Sequence, residues 1–149
     1  MKSVFNPSDN REILDRIGRL RPDSRAEWGK MDAAQMLAHA NITIKVAFGD
    51  VKLKRSFLGM LIGSMAKKSF TGSKPFNRNS PTDKHFIMKG EYNFDEERRQ
   101  LLELVGRFAK AGPSGITTEA HPFFGTMTTQ EWDALMWNHL DHHLRQFGA

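Results

Sequence analysis

The sequence predicts an all-α protein, an antiparallel four-helix bundle with a long crossover connection between its second and third helices. Apolar residues recur at helical spacing in four segments, and a weakly patterned stretch separates the second segment from the third. The 149 residues match the size of one domain, and 39% hydrophobic with 26% charged residues is typical of a folded chain. We therefore expect a single domain over residues 1–149.

The first two predicted helices lie in the N-terminal third of the chain. The first covers residues 8–20, where four apolar side chains fall on one face. The second covers residues 33–48 and has a clearer start, because Asp32 and Gln35 have the spacing of a capping box. Both helices are expected to contribute one face to the core.

The crossover and the last two helices follow. Residues 51–88 are predicted to form a connection that contains a short apolar helix around residues 57–68 and then a loop rich in Gly, Ser and Pro. A third bundle helix is predicted between Asn93 and Gly112. The fourth is predicted over residues 128–147, again behind a capping box.

Composition excludes several classes of site. The chain contains no Cys, so it has no disulfide, no thiolate metal site and no cysteine nucleophile. Its longest apolar run, residues 57–66, is about half of the roughly 20 residues that a membrane span requires. The first residues lack the apolar stretch of a secretory signal. We therefore expect a cytoplasmic protein without a membrane partner.

Positive charge is concentrated in residues 51–90. This segment holds nine Lys or Arg and one acidic residue, whereas the whole chain has a net charge of +5. Such a field attracts a small-molecule phosphate or carboxylate, a nucleic acid or an anionic lipid surface, and it is also compatible with a solvated loop. Because few aromatic residues, such as Phe70 and Phe76, are interleaved with these cations, nucleic acid is not the expected partner.

Histidines are the residues that point to chemistry. On helical projections, His139 and His143 fall in the middle of the apolar stripe of the last helix, and His39 falls on the inner face of the second. The two residues of the last helix are four apart, a spacing used by zinc-binding His-x-x-x-His pairs. One divalent ion would satisfy all three buried imidazoles, and without a carboxylate ligand it would keep an open coordination position. Hydrogen-bonded core histidines are the simpler alternative.

Other polar residues have less defined roles. Gln35, His142 and Gln146 are candidates for orienting the ligands or for touching a substrate, and the catalytic residue itself is not identified. His85 is expected to be exposed, and His121 precedes a proline in a loop. Asp133 and Asp141 fall on the solvent side of the last helix.

Several stretches of sequence carry a family resemblance. His39 in the second helix, together with residues 138–146 in the last, resembles the DinB/YfiT-like superfamily of metal-dependent enzymes. Residues 28–39, residues 121–132 and the ending at residues 144–148 resemble one branch of it, whose function is unknown. The resemblance implies a four-helix bundle that binds a divalent ion through His39, His139 and His143. The ion is often zinc or nickel in this superfamily, with iron and manganese as alternatives. Several members carry Arg directly after the His-His pair, whereas this chain has Leu144 there.

The resemblance also implies a reaction class. Members with assigned activities include enzymes in which the metal activates a low-molecular-weight thiol, so we expect a thiol-dependent S-transferase or a hydrolase acting on a small-molecule substrate. The alternative is a non-catalytic metal-binding or structural bundle whose basic face binds an anionic partner. A homodimer is also considered, because Trp137 and Leu144 widen the apolar arc of the last helix.

Overall fold

A computed structural model describes residues 2–149 and shows an all-helical chain. Five α-helices are formed: α1 (Pro7–Arg19), α2 (Ala33–Phe48), α3 (Phe57–Phe70), α4 (Phe94–Ala111) and α5 (Thr129–Gln146). Short 3₁₀ turns occur at Lys84–Phe86 and Pro113–Gly115. Residues 2–149 form no β-strand, although His121 and Gly125 make an isolated antiparallel bridge. The all-α prediction is confirmed.

Four of the helices enclose the core. Helix α4 contacts α1 and α2, and α5 contacts the same two helices. These contacts are compatible with the predicted four-helix bundle, whose antiparallel arrangement stays a prediction. The largest fully buried side chains come from all four helices and include Ile13, Ile17, Met36, Leu37, Ile44, Leu101, Phe108, Trp132, Met136 and Leu140.

Local sequence explains where the helices begin. The Asp32 and Thr128 side chains each accept a hydrogen bond from the third helical amide of α2 and α5, and each helix returns the bond through Gln35 or Glu131. Both predicted capping boxes are therefore present. Helix α2 ends at Gly49, whose φ of 75° is accessible to glycine at little cost.

The crossover is predicted correctly in outline. It contains α3, which packs on α5 outside the main bundle. The Asn138 side chain of α5 holds the end of α3 by donating to the carbonyls of Phe70 and Gly72, at 3.2 and 2.8 Å. The connection is thereby fixed beside the helix that carries His139 and His143.

Two expectations about α5 change with the fold. Trp137 and Leu144 are 7% and 1% exposed within a single chain, so they supply no reason to expect a dimer. Asp141 is partly buried and pairs with Arg16 at 2.8 Å, which ties α5 to α1. Asp133 accepts a hydrogen bond from the Val4 amide at 2.8 Å. Both carboxylates therefore have structural partners.

None of the helices found in residues 2–149 combines the length and the apolar character that crossing a bilayer requires.

Candidate metal centre

His39 projects from the second turn of α2 into the core and is 5% exposed. Its Nδ1 atom lies 2.8 Å from the carbonyl oxygen of Phe86, in the 3₁₀ turn of the crossover. Because a carbonyl only accepts, Nδ1 must carry the proton of the neutral ring. The lone pair of His39 is therefore on Nε2, the nitrogen that faces the other histidines.

His143 is oriented by a similar arrangement on α5. Its Nδ1 lies 2.8 Å from Oε1 of Gln146, whose Nε2 donates to the carbonyl oxygen of Trp28 at 2.6 Å. The Trp28 carbonyl fixes the amide orientation, so Nδ1 of His143 donates and Nε2 keeps its lone pair. Gly29 allows this approach, because a Cβ there would lie 2.6 Å from the Gln146 nitrogen.

The three imidazoles of His39, His139 and His143 meet at one point. The Nε2 atoms of His39 and His139 are 2.9 Å apart, and one ligand atom from each of the three rings lies within 4.8 Å of the others. In a tetrahedral zinc site, bonds of about 2.05 Å place two ligand atoms about 3.3 Å apart. The observed spacings bracket this value. Small ring rotations would therefore suffice to centre one ion.

His139 differs from the other two in its surroundings. It retains some exposed surface, yet its Nδ1 atom is buried without a hydrogen-bond partner. A buried polar atom without a partner costs about 1 to 3 kcal/mol. Its Nε2 lies 2.9 Å from Nε2 of His39, so Nε2 is the nitrogen that His139 presents to the cluster, and no protein oxygen orients the ring through Nδ1.

Electrostatics keep the cluster neutral. Burial lowers the pKa of His143 to about 3, and the neighbouring His39 adds to this effect. Burial also lowers the pKa of His39, against the opposing hydrogen bond to Phe86, and it lowers the pKa of His139 strongly together with repulsion from the other rings. Neutral imidazole is the form that binds metals, so the site is prepared for a cation at neutral pH.

The donor set restricts what the cluster can do. Three neutral nitrogens fill three positions of a tetrahedral ion, and the group contains no carboxylate or thiolate. Closed structural zinc sites have four protein ligands, whereas three ligands leave a position for water or substrate. The three histidines could therefore hold a divalent ion with an open position.

The chain matches a family model over residues 5–149, and the family is described as a protein of unknown function, DUF1569. The chain belongs to this family. No curated protein and no solved structure matches it. The resemblance to the DinB/YfiT-like superfamily therefore stays a prediction.

Two further histidines of this DUF1569 chain are buried but lie outside the cluster. His142 is 8% exposed, packs edge-on against Trp28 and neighbours the ring of His143. His121 is 4% exposed, and its Nδ1 accepts hydrogen bonds from the amides of Phe123 and Phe124. His121 therefore shapes the loop before α5.

The remaining polar candidates have distinct surroundings. Gln146 holds a cluster histidine directly, whereas Gln35 serves the capping box and donates to the Gly90 carbonyl at 3.0 Å. His85, expected to be exposed, is partly buried against Asp83 at 2.6 Å. The Phe86 carbonyl and the Trp28 carbonyl were not predicted, because backbone groups of aperiodic segments leave no signal in the sequence.

A cavity of about 360 Å³ opens beside the cluster. It is lined chiefly by Glu27, Trp28, Phe76, Arg78, His142 and Arg145. The Arg78 guanidinium lies 4.1 Å from the centre of the Trp28 ring, which holds it at the cavity wall. Both arginines have carboxylate partners, since Arg78 lies 3.9 Å from Glu27 and Arg145 lies 3.0 Å from Asp141. The wall therefore offers polar groups of both signs to a small molecule.

Proposed function

We propose that this DUF1569 protein is a divalent-metal-dependent enzyme in which His39, His139 and His143 hold the ion. The observation that carries the proposal is the convergence of three neutral imidazoles, two of them already oriented by the Phe86 carbonyl and by Gln146. Zinc and nickel are the ions that we favour, since imidazole suits both, and iron and manganese are alternatives.

The reaction that we infer is the transfer of a small thiol to an electrophile, with hydrolysis as the other option. A bound divalent ion would supply Lewis acidity that lowers the pKa of a thiol or water at the open position. The chain contains no Cys of its own, so the thiol would arrive as a cosubstrate. The resemblance to DinB/YfiT-like enzymes supports this class.

The cavity offers a place for the cosubstrate. A carboxylate of the cosubstrate would have to compete with Glu27 for Arg78 and with Asp141 for Arg145, while Trp28 and Phe76 would cover its apolar part. His142 lines the same cavity and neighbours the ring of His143. Burial lowers the pKa of His142, so it is neutral at pH 7 and would accept a proton from an incoming thiol or water.

Metal analysis of untagged protein tests the first step. We expect close to one divalent ion per chain in the wild type, loss of that ion in His139→Ala and retention in His142→Ala. The two variants remove the same side chain from the same helix, so His142→Ala controls for general damage to α5. Wild-type protein that neither contains metal nor binds added zinc or nickel would refute the proposal.

A spectroscopic measurement tests the second step. On cobalt-substituted protein, glutathione is expected to produce a sulfur-to-cobalt charge-transfer band if the open position accepts a thiol. If the cobalt spectrum did not change when the thiol was added, hydrolysis would be the favoured reaction. A site that is unchanged by any added small ligand would favour the non-catalytic bundle.

A further inference from the structure

Helix α3 is seated on the rest of the protein through its smallest residues. Gly59 and Gly63 face the backbone of Phe123, where a Cβ on Gly59 would lie 2.5 Å from the carbonyl oxygen and one on Gly63 closer still. Real side chains do not approach so closely, so no larger residue fits at either position. Close seating therefore leaves the large apolar side chains of α3 on its other face.

The outer face of α3 is apolar at its centre. Phe57, Leu61 and Met65 follow one another at four-residue spacing and are 74%, 65% and 75% exposed. Leu58, Met60 and Ile62 flank them and are 55%, 58% and 42% exposed. A helix on a protein surface ordinarily turns its polar side outward, and a contiguous exposed apolar patch indicates an interaction site.

Cations lie at both ends of this outer face. Lys54 precedes α3, Lys68 lies in its last turn, and both are exposed. Arg55 and Lys67 are held against the rest of the protein, where Arg55 donates to the His121 carbonyl at 2.8 Å and Lys67 pairs with Glu131 at 2.9 Å. Asp83, the one acidic residue of the segment 51–90, is already paired with His85. The partner must therefore be apolar where it meets α3 and negatively charged around that contact.

We propose that the outer face of α3 lies in the surface of an anionic lipid bilayer. At 14 residues the helix is about 21 Å long, too short for the roughly 30 Å hydrocarbon core but suited to lying in the plane of the surface. Its apolar side chains would enter the acyl boundary while the flanking cations meet lipid phosphates. The expectation of no membrane partner rested on the lack of a spanning stretch, and the proposed surface contact departs from that expectation.

Charge disfavours a second copy of the chain as the occupant. In a two-fold pair with α3 helices antiparallel, Lys54 of one copy would lie near Lys68 of the other. Helix α3 has no acidic residue in its first turn to offset this repulsion, and the neighbouring Glu131 is already paired with Lys67. A bilayer has the opposite sign of charge and adapts to protruding Leu, Met and Phe side chains, so it needs no preformed groove.

Vesicle flotation tests the proposal. Wild-type protein should float with vesicles that contain about 30% phosphatidylserine in phosphatidylcholine, and far less with pure phosphatidylcholine. The triple variant Phe57→Ser, Leu61→Ser, Met65→Ser should bind the anionic vesicles at least about tenfold more weakly. Ile87→Ser, which removes another exposed apolar side chain outside α3, is the matched control and should bind as the wild type does.

Circular dichroism and sedimentation measured on the same samples keep the result interpretable. The triple variant should retain the wild-type helix content and melting temperature, because the three side chains make few contacts. The proposal would be overturned if the wild-type protein did not bind anionic vesicles, or if it bound neutral vesicles equally well. If the wild-type protein formed a dimer and bound no vesicles, and the triple variant were monomeric, the outer face of α3 would instead contact a second copy of the chain.

Discussion

In most proteins apolar side chains are buried and polar side chains are exposed. The histidine cluster between α2 and α5 and the outer face of α3 depart from this rule in opposite directions. The cluster places polar rings in the core, where His39 and His143 are nearly inaccessible, whereas α3 places large apolar side chains in solvent. Both departures cost free energy in the isolated chain. Places where a sequence breaks such a rule are expected to be functional sites.

The two regions differ in how far the protein itself compensates the cost. In the cluster, Phe86 and Gln146 satisfy Nδ1 of His39 and of His143, so in these two rings only the nitrogen aimed at the common point needs a partner. On α3 nothing covers Phe57, Leu61 or Met65 within the residues that the structure describes. The cluster is therefore a nearly complete site for a small occupant, while α3 is half of an interface.

The largest effect that we predict is a difference in stability between substitutions on the two faces of α3. Gly63→Val should destabilise the protein by about 3 kcal/mol, because a side chain there meets the Phe123 carbonyl, and backbone cannot rotate aside. Leu61→Ser on the outer face should change stability by less than about 0.5 kcal/mol. Urea unfolding of both variants measures the difference. Equal losses in the two would show that α3 is not seated by its glycines.

Periodicity predicted the cluster but not the seating of α3. The inward positions of His39, His139 and His143 follow from 3.6-residue spacing within helices whose buried face is clear. In α3 the same spacing also produces an apolar stripe, but the sequence gives no sign that it points outward. The orientation depends on the Phe123 backbone, which lies 60 residues after Gly63 and belongs to an aperiodic loop.

A second prediction concerns the two glutamines one turn from a cluster histidine. Gln146→Leu should weaken zinc binding about tenfold to hundredfold, or about 1.4 to 2.7 kcal/mol, because His143 loses the acceptor that orients its ring. Gln35→Ala should leave zinc affinity unchanged and lower the melting temperature slightly, since this side chain serves the α2 cap. Competition with a chromophoric chelator measures both affinities.

The pair of glutamine variants tests whether the cluster is ordered by its neighbours. If Gln35→Ala weakened zinc binding as much as Gln146→Leu, the effect would come from general loosening of the bundle. If neither variant changed it, the contact between Gln146 and His143 would have no role in preparing the site.

The smallest effect that we predict concerns a buried histidine outside the cluster, His121. Burial lowers its pKa to about 3 in the folded protein, with a smaller contribution from Arg55, whereas the unfolded chain titrates near 6.5. Between these values the unfolded state binds a proton that the folded state does not, so stability falls as the pH falls. One such group contributes about 1.4 kcal/mol per pH unit.

His121→Asn should reduce this pH dependence by about one proton, since the Asn oxygen can still accept from Phe123 and Phe124 but cannot titrate. Urea unfolding of chelator-treated protein at pH 8, 6 and 5 measures the slope. Near-equal stability at pH 8 would show that the loop is intact. A slope between pH 6 and 5 that matches the wild type would mean that His121 is protonated as readily in the folded chain as in the unfolded one, and the loop before α5 would then have to open to water well above pH 3.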